Sequence, residues 1–184
     1  MTIRHISKTL AMFSILLLAT FAVSAQDSER MVDRIAKQVR KELVTLPFYS
    51  VFDNFRFKVS PQGEVTLLGE VSRPTLKSTA ENVVKKIEGV TKVTNELEVL
   101  PLSPNDDRIR LGTFQAIYGH NTLRPLAVRA VPPIHIIVKN GNVTLEGVVA
   151  TALEKQIAEA QARQVPGAFQ VTNNLQVERQ EKDS

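Results

Sequence analysis

Apolar residues along this chain follow two periods, and the two alternate in a fixed order. From Met31 to Leu43, Val32, Ile35, Ala36, Val39 and Leu43 recur at helical spacing, with Arg34, Lys37, Arg40, Lys41 and Glu42 around the rest of the wheel. That predicts an amphipathic helix, ended at Leu46-Pro47. Phe55-Arg56-Phe57-Lys58-Val59 then alternates with period two, the mark of a strand with one buried face. Pro61-Gln62-Gly63 is a turn. Val65, Leu67, Gly69 and Val71 alternate again and predict a hairpin partner. Pro74 suits a first helical turn. Leu76, Ala80, Val83, Val84 and Ile87 make the inward stripe of a second helix, with Gly89 placed to stop it. Val90 to Val99 reads as a third strand, and the order is α-β-β-α-β.

The order is then repeated. Residues 63–99 align on 141–177 without a gap, at a shift of 78, with 15 of 37 paired positions identical. A fixed offset of this kind marks a duplicated structural unit. In the second copy Gly147 matches Gly69 and Gly167 matches Gly89, and Thr151-Ala152-Leu153-Glu154 has the form of a capping box. Gly69 and Gly147 fall mid-strand, where glycine weakens pairing, so a close approach of backbone or a bulge is expected. Asn95 and Asn173, beside the last strand, are expected to bond local backbone. Leu100-Pro101-Leu102-Ser103-Pro104-Asn105 joins the copies and is stiffened by two prolines. The expected organisation is one domain over 28–100, a linker over 101–105, a second domain over 106–178 and a disordered charged tail over 179–184.

Each copy thus carries a helix, a strand, G-x-V-T-L-x-G-x-V, a second helix and G-x-x-x-V-x-N-x-L-x-V. This pattern resembles the BON family (bacterial OsmY and nodulation), here in tandem. The resemblance implies an α+β fold of two BON domains, each with two helices on one face of a three-stranded sheet. It implies an envelope location, no catalysis, and attachment to phospholipid membranes or to envelope proteins. In some two-domain relatives it places anionic-lipid contact on the first helix of the second copy.

The copies differ in three ways. From Arg108 through Leu145 there is no Asp or Glu, while Arg108, Arg110, Arg124, Arg129 and Lys139 fall in that stretch. Anionic headgroups attract such a segment, at ~1 kcal/mol per basic residue. The first helix of copy two, Asp107 to Tyr118, has apolar residues on more than one side. Ile109, Thr113 and Ile117 match Ile35, Val39 and Leu43 at a shift of 74 and are expected in the core. Leu111, Phe114 and Tyr118 form a neighbouring stripe that meets a bilayer interface, the partner copy or the sheet. Third, a shift of 78 sets Ile134, Ile136 and Val138 opposite the outward Arg56, Lys58 and Ser60, which makes both faces of that strand apolar and in want of cover. The same shift sets His135 on Phe57, a core position. Phe48, Tyr49, Phe52, Phe55 and Phe57 crowd one segment of copy one, for core packing or contact between the copies.

The start of the chain has another character. Arg4 and Lys8 precede an apolar run from Thr9 to Val23, followed by small residues through Ala25. This is the layout of a signal peptide cleaved after Ala25, short of the ~20 residues a spanning helix needs. With no cysteine in the chain, neither a lipoprotein lipid nor a disulfide is available. Cleavage would lower Lys+Arg from 23 to 21 against 19 acids, close to neutral, which disfavours a nucleic-acid partner. No metal-ligand spacing or phosphate-binding glycine loop is present. No catalytic residue, cofactor or small-molecule substrate is expected.

With the resemblance, these features lead to the expectation of a non-enzymatic periplasmic protein, bound to anionic phospholipid surfaces through Arg108, Arg110, Phe114, Tyr118, Arg124 and Arg129. The alternative is an interaction adaptor docking through Ile134 to Val138, or an osmotic or envelope-stress structural protein.

Overall fold

The computed structural model describes residues 27–178. The expected signal peptide and the expected disordered tail over 179–184 lie outside the described residues. Copy one comprises α1 (27–44), β1 (Asn54–Val59), β2 (Glu64–Val71), α2 (Pro74–Val84), β3 (Lys92–Asn95) and β4 (Glu98–Val99). Copy two comprises α3 (Pro104–Gly119), the short α4 (Arg124–Ala127), β5 (Ile134–Lys139), β6 (Asn142–Val149), α5 (Ala152–Arg163), β7 (Gln170–Asn173) and β8 (Gln176–Val177).

Each copy is an α+β layer pair. β2 lies at the centre of its sheet, antiparallel to β1 and parallel to β3 and β4, and β6 repeats that arrangement with β5, β7 and β8. The third strand of each copy is therefore one path broken in two. In copy one Ile35, Val39 and Leu43 of α1 and Leu76, Ala80 and Val84 of α2 share a core with Val65, Leu67 and Val71 of β2. In copy one the helix stripes and strand alternation read from the sequence turn inward, except that Val32 and Ala36 of the α1 stripe are only half-buried. α2 and α5 end regularly at Val84 and Arg163, and Gly89 and Gly167 shape the turns beyond, at φ +89° and +92°.

The break in the third strand has a side-chain cause. Asn95 Oδ1 accepts from the Leu97 amide at 3.2 Å, while its amide group donates to the Lys77 carbonyl at 2.9 Å and to Glu81 at 3.0 Å. Asn173 makes the same three bonds to Leu175, Lys155 and Glu159. The expected local bond is one of three, and the other two tie the strand to the second helix. Gly69 and Gly147 sit at φ +111° and +122°, and a Cβ there would lie 1.9 Å from the Asn54 carbonyl oxygen and 2.0 Å from that of Pro133. The close approach comes from the neighbouring strand segment, and it makes glycine obligatory.

One sequence expectation is overturned by register. Phe55 pairs with Gly69 and Ile134 pairs with Gly147, so β1 and β5 correspond at a shift of 79, not 78. The hairpin loops explain the difference. Copy one turns through three residues, Pro61-Gln62-Gly63, closed by Ser60 N–H to Glu64 O at 2.8 Å. Copy two turns through two, Asn140-Gly141, both at positive φ as a type I′ turn needs. A slip of one residue exchanges the faces of a strand. Ile134, Ile136 and Val138 are therefore the counterparts of Phe55, Phe57 and Val59 and lie in the core of copy two. His135 and Ile137 are on the other face, so His135 is no part of that core.

The two copies are joined by the stretch after α1. Val51 of copy one is buried in the core of copy two, and its carbonyl accepts from the Ile136 amide at 2.7 Å. Phe52 packs edge-on against Phe114, ring centres 6.2 Å apart. Tyr49 lies over His135. Buried Asp53 holds this turn in shape by accepting from the Ser50 amide and hydroxyl and, at 2.6 Å, from the Ser72 amide. An exposed ion pair, Lys139 to Glu98, also crosses the junction.

Candidate functional site

The six residues expected to meet a headgroup layer separate into two sets. Arg110, Phe114 and Tyr118 serve the fold. The Arg110 guanidinium is buried, donates to the Val138 carbonyl at 3.0 Å and pairs with Asp107. Beside it Asp106 accepts from the Asn140 and Gly141 amides at 2.9 and 2.8 Å, so the first turns of α3 clamp the β5–β6 hairpin. Tyr118, 4% exposed, donates to the Ile134 carbonyl at 2.8 Å and accepts from the Ile134 amide at 3.1 Å. Burial pushes its hydroxyl well above the ordinary range. Phe114 fills the space between Tyr118 and Phe52. The second stripe of α3 thus meets the sheet and copy one, except for Leu111.

Arg108, Arg124 and Arg129 are exposed. Arg108 bonds Asn105 at 2.8 Å in the first turn of α3, and Arg124 donates to the Gly119 carbonyl at 3.2 Å beyond its last turn. A helix of 16 residues separates these ends by roughly 20 Å. The acid-free stretch of sequence is therefore not one basic patch in space, and Asp107 and Glu98 return two carboxylates to it.

A different cluster stands out. Phe48, Leu102 and Leu111 are 68%, 96% and 56% exposed, and all three line one open cleft of about 740 Å³ between the copies. Phe52, Pro74 and Pro101 extend its apolar wall, and Arg73 is at its rim with the guanidinium 4.9 Å from the Phe48 ring centre. Phe48 has φ +69°, in the left-handed region that a bulky side chain seldom enters. Arg108 is one turn of α3 from Leu111. The sequence signal for this cluster was weak: Leu111 stood on the second stripe of α3, Phe48 was expected in core packing or in contact between the copies, and Leu102 was one residue in a linker.

Two other polar groups lie at the junction. Tyr49 Oη and His135 Nε2 are 3.4 Å apart, and burial lifts the Tyr49 hydroxyl to about 12 while it lowers the His135 imidazole. Among the described residues no three His, Cys, Asp or Glu side chains gather as metal ligands, and no helix is long and apolar enough to cross a membrane.

The duplicated α-β-β-α-β unit, its mid-strand glycines and its Asn-tied third strand are matched by a family model. The model for the BON domain covers residues 32–101 and 126–179. The chain belongs to the BON-domain family. The second match begins after α3, where copy two carries five more residues between helix and strand than copy one, the difference between shifts of 74 and 79. BON domains are in general non-enzymatic modules of periplasmic proteins with membrane- and phospholipid-related roles. No curated protein sequence matches the chain. Among solved structures, it is similar to the C-terminal domain of CdsD, a structural protein of the type III secretion system of Chlamydia trachomatis. That match has 14% identity and a TM-score of 0.29, covering 78% of this chain and 96% of that one. A second structure of CdsD matches at 14% identity and a TM-score of 0.30, covering 79% and 93%.

Proposed function

We propose that this protein attaches to anionic phospholipid surfaces of the cell envelope, on the periplasmic side and without catalysis, through the cleft face between its BON domains. The observation that carries this reading is the convergence of Phe48, Leu102 and Leu111, from three separate segments, with Arg73 in the same cleft; Arg108 is exposed one turn of α3 from Leu111. Each apolar side chain withdrawn from water contributes up to ~1.5–3 kcal/mol, and each basic residue near an anionic surface ~1 kcal/mol. Stable attachment to a bilayer takes two such signals together. Phe48 supports the reading further. Its left-handed backbone costs on the order of 1–2 kcal/mol, yet the ring it holds is turned to solvent.

The membrane-contact set is thus revised from that expected. Arg108 stays, Leu111, Phe48, Leu102 and Arg73 join it, and Arg110, Phe114 and Tyr118 leave it. An adaptor docking through β5 loses its motivation, because Ile134, Ile136 and Val138 are buried.

Co-sedimentation with phosphatidylglycerol-containing and pure phosphatidylcholine vesicles tests the proposal. Binding is expected to the anionic vesicles alone and to weaken as salt rises. The triple substitution Phe48→Ser, Leu102→Ser, Leu111→Ser and the pair Arg73→Glu, Arg108→Glu should each weaken it by about tenfold or more. Arg124→Glu with Arg129→Glu probes the far end of α3, where Val128 is also exposed. Loss of binding in that pair alone would overturn the cleft in favour of α4. Equal binding to neutral vesicles would overturn the proposal altogether.

A further inference from the structure

The segment from Phe48 to Asp53 divides two clefts. Phe48, Ser50 and Phe52 line the one described above, while Tyr49 lines a second, of about 550 Å³, between the α1–β1 side of copy one and the start of β5. Its walls are apolar, with Val44 from α1, Phe55 and Phe57 from β1, and Val131 and Pro133 ahead of β5. Arg40, Arg56, Asn54 and His135 are its polar lining beside Tyr49, and no Asp or Glu takes part in it. By contrast, the first cleft contains Asp107, and the groove between α1 and α2 contains Glu42 and Glu88.

Arg40 is free for a ligand, and Arg56 is engaged only in part. Arg40 has no ion-pair partner among the described residues. Arg56 meets Glu70 at 3.5 Å, a long contact across β1 and β2. The Tyr49 hydroxyl, with His135 Nε2 beside it, adds a neutral donor among the apolar walls. The volume is in the range of small-molecule sites, which combine apolar walls with a few placed polar groups. The lining carries two guanidinium groups, one of them shared with Glu70, and no carboxylate of its own, a balance that favours an anionic head. Two acyl chains on a glycerophosphate would overfill a groove of this size, whereas one chain with a compact head suits it.

We infer that this groove binds one single-chain fatty carboxylate per protein molecule. The carboxylate is taken by Arg40 and Arg56, and the chain lies along Phe55, Phe57 and Val131 to Pro133. This site shares no lining residue with the membrane-facing cleft and does not depend on it.

Calorimetric titration of the purified protein with dodecanoate, kept below its micellar concentration, reads the proposal directly. Saturable one-to-one binding is expected. Arg40→Gln with Arg56→Gln should weaken it about tenfold or more, as loss of charge-assisted hydrogen bonds does, and circular dichroism should show that this variant stays folded. Dodecanol, of equal chain length and no charge, should bind at least about tenfold more weakly than dodecanoate for the same reason. The Phe48→Ser, Leu102→Ser, Leu111→Ser variant should bind dodecanoate as the parent does, even where vesicle binding is gone. Absence of saturable binding, equal affinity for the alcohol, an unaffected double variant, or loss of dodecanoate binding in the triple variant would each overturn the assignment.

Discussion

The carbonyl of Val51 accepts a hydrogen bond from the amide of Ile136, 2.7 Å away and in the other copy. β5 is the outer strand of its sheet, and an open strand edge invites unwanted pairing. Copy one covers part of that edge with its own backbone and seals the contact by placing the Val51 side chain in the core of copy two. Single domains of this size bury a limited core. Each copy therefore stands to gain from the other, which is a physical reason for the tandem.

Val51→Ala should measure that gain. Removing two methyl groups from a buried site costs about 2 kcal/mol at ~0.8 kcal/mol each plus a cavity term. Urea denaturation should show the midpoint of copy two falling, because the side chain belongs to that core. An unchanged midpoint would mean that the junction contributes nothing to stability.

The mid-strand glycines make a sharper case. Gly147→Ala sets a methyl group 2.0 Å from the Pro133 carbonyl oxygen at a φ of +122°. Strand separation or a backbone shift must follow, and a loss of about 3 kcal/mol or more is expected in thermal unfolding. Gly119→Ala is the control. A Cβ there meets nothing within 4 Å, and the change should be neutral or stabilise the helix end by up to about 1 kcal/mol. Similar losses in the two variants would refute the steric account.

Periodicity and the repeat made the layers, the element order and the family legible in the sequence. The register of β5 was not legible from the repeat alone, because the loop ahead of the aligned block differs in length by one residue. Asn140-Gly141 carried the missing signal, since that dipeptide marks a two-residue hairpin turn. Reading it would have moved Ile134, Ile136 and Val138 inward and His135 out of the core. The residues proposed for lipid contact were legible only in part. Charge along the chain located Arg108, but α3 spreads a contiguous stretch over its whole length and circumference. Phe48, Leu102 and Leu111 come from three segments, and only the tertiary fold brings them together. No one-dimensional pattern contains that.

Asn173 joins β7, α5 and the break in the third strand through three bonds, and Asn95 does the same in copy one. Asn173→Ala leaves the Lys155 carbonyl and the Leu175 amide without that partner, at a cost of about 1–3 kcal/mol. Asn173→Asp should be less stable still, because a carboxylate would face Glu159. Chemical denaturation of both variants checks the order. Asn173→Asp more stable than Asn173→Ala would contradict it.

His135 gives the protein a pH dependence whose sign follows from its surroundings. Burial lowers its imidazole below the ordinary 6.5, although Asp53 and Glu146 pull the other way. The folded state therefore holds the ring neutral, while the unfolded chain takes up a proton as pH falls through 6.5. By linkage, the contribution of this group is complete above 6.5 and is lost as pH falls from there toward the lowered folded value. Tyr49 adds nothing in this window, since its hydroxyl is lifted to about 12 and stays protonated. Glu81 and Glu159, lowered mainly by Lys85 and Arg163, act only near and below the carboxylate range. The interval from about 6.5 down to 5 thus isolates the histidine. Urea midpoints at pH 7.5, 6.5 and 5.5 should fall in the parent protein and fall less in His135→Phe. A His135 imidazole resonance titrating at 6.5 would remove the effect, and one titrating above 6.5 would reverse its sign, because the folded state would then gain from acidification.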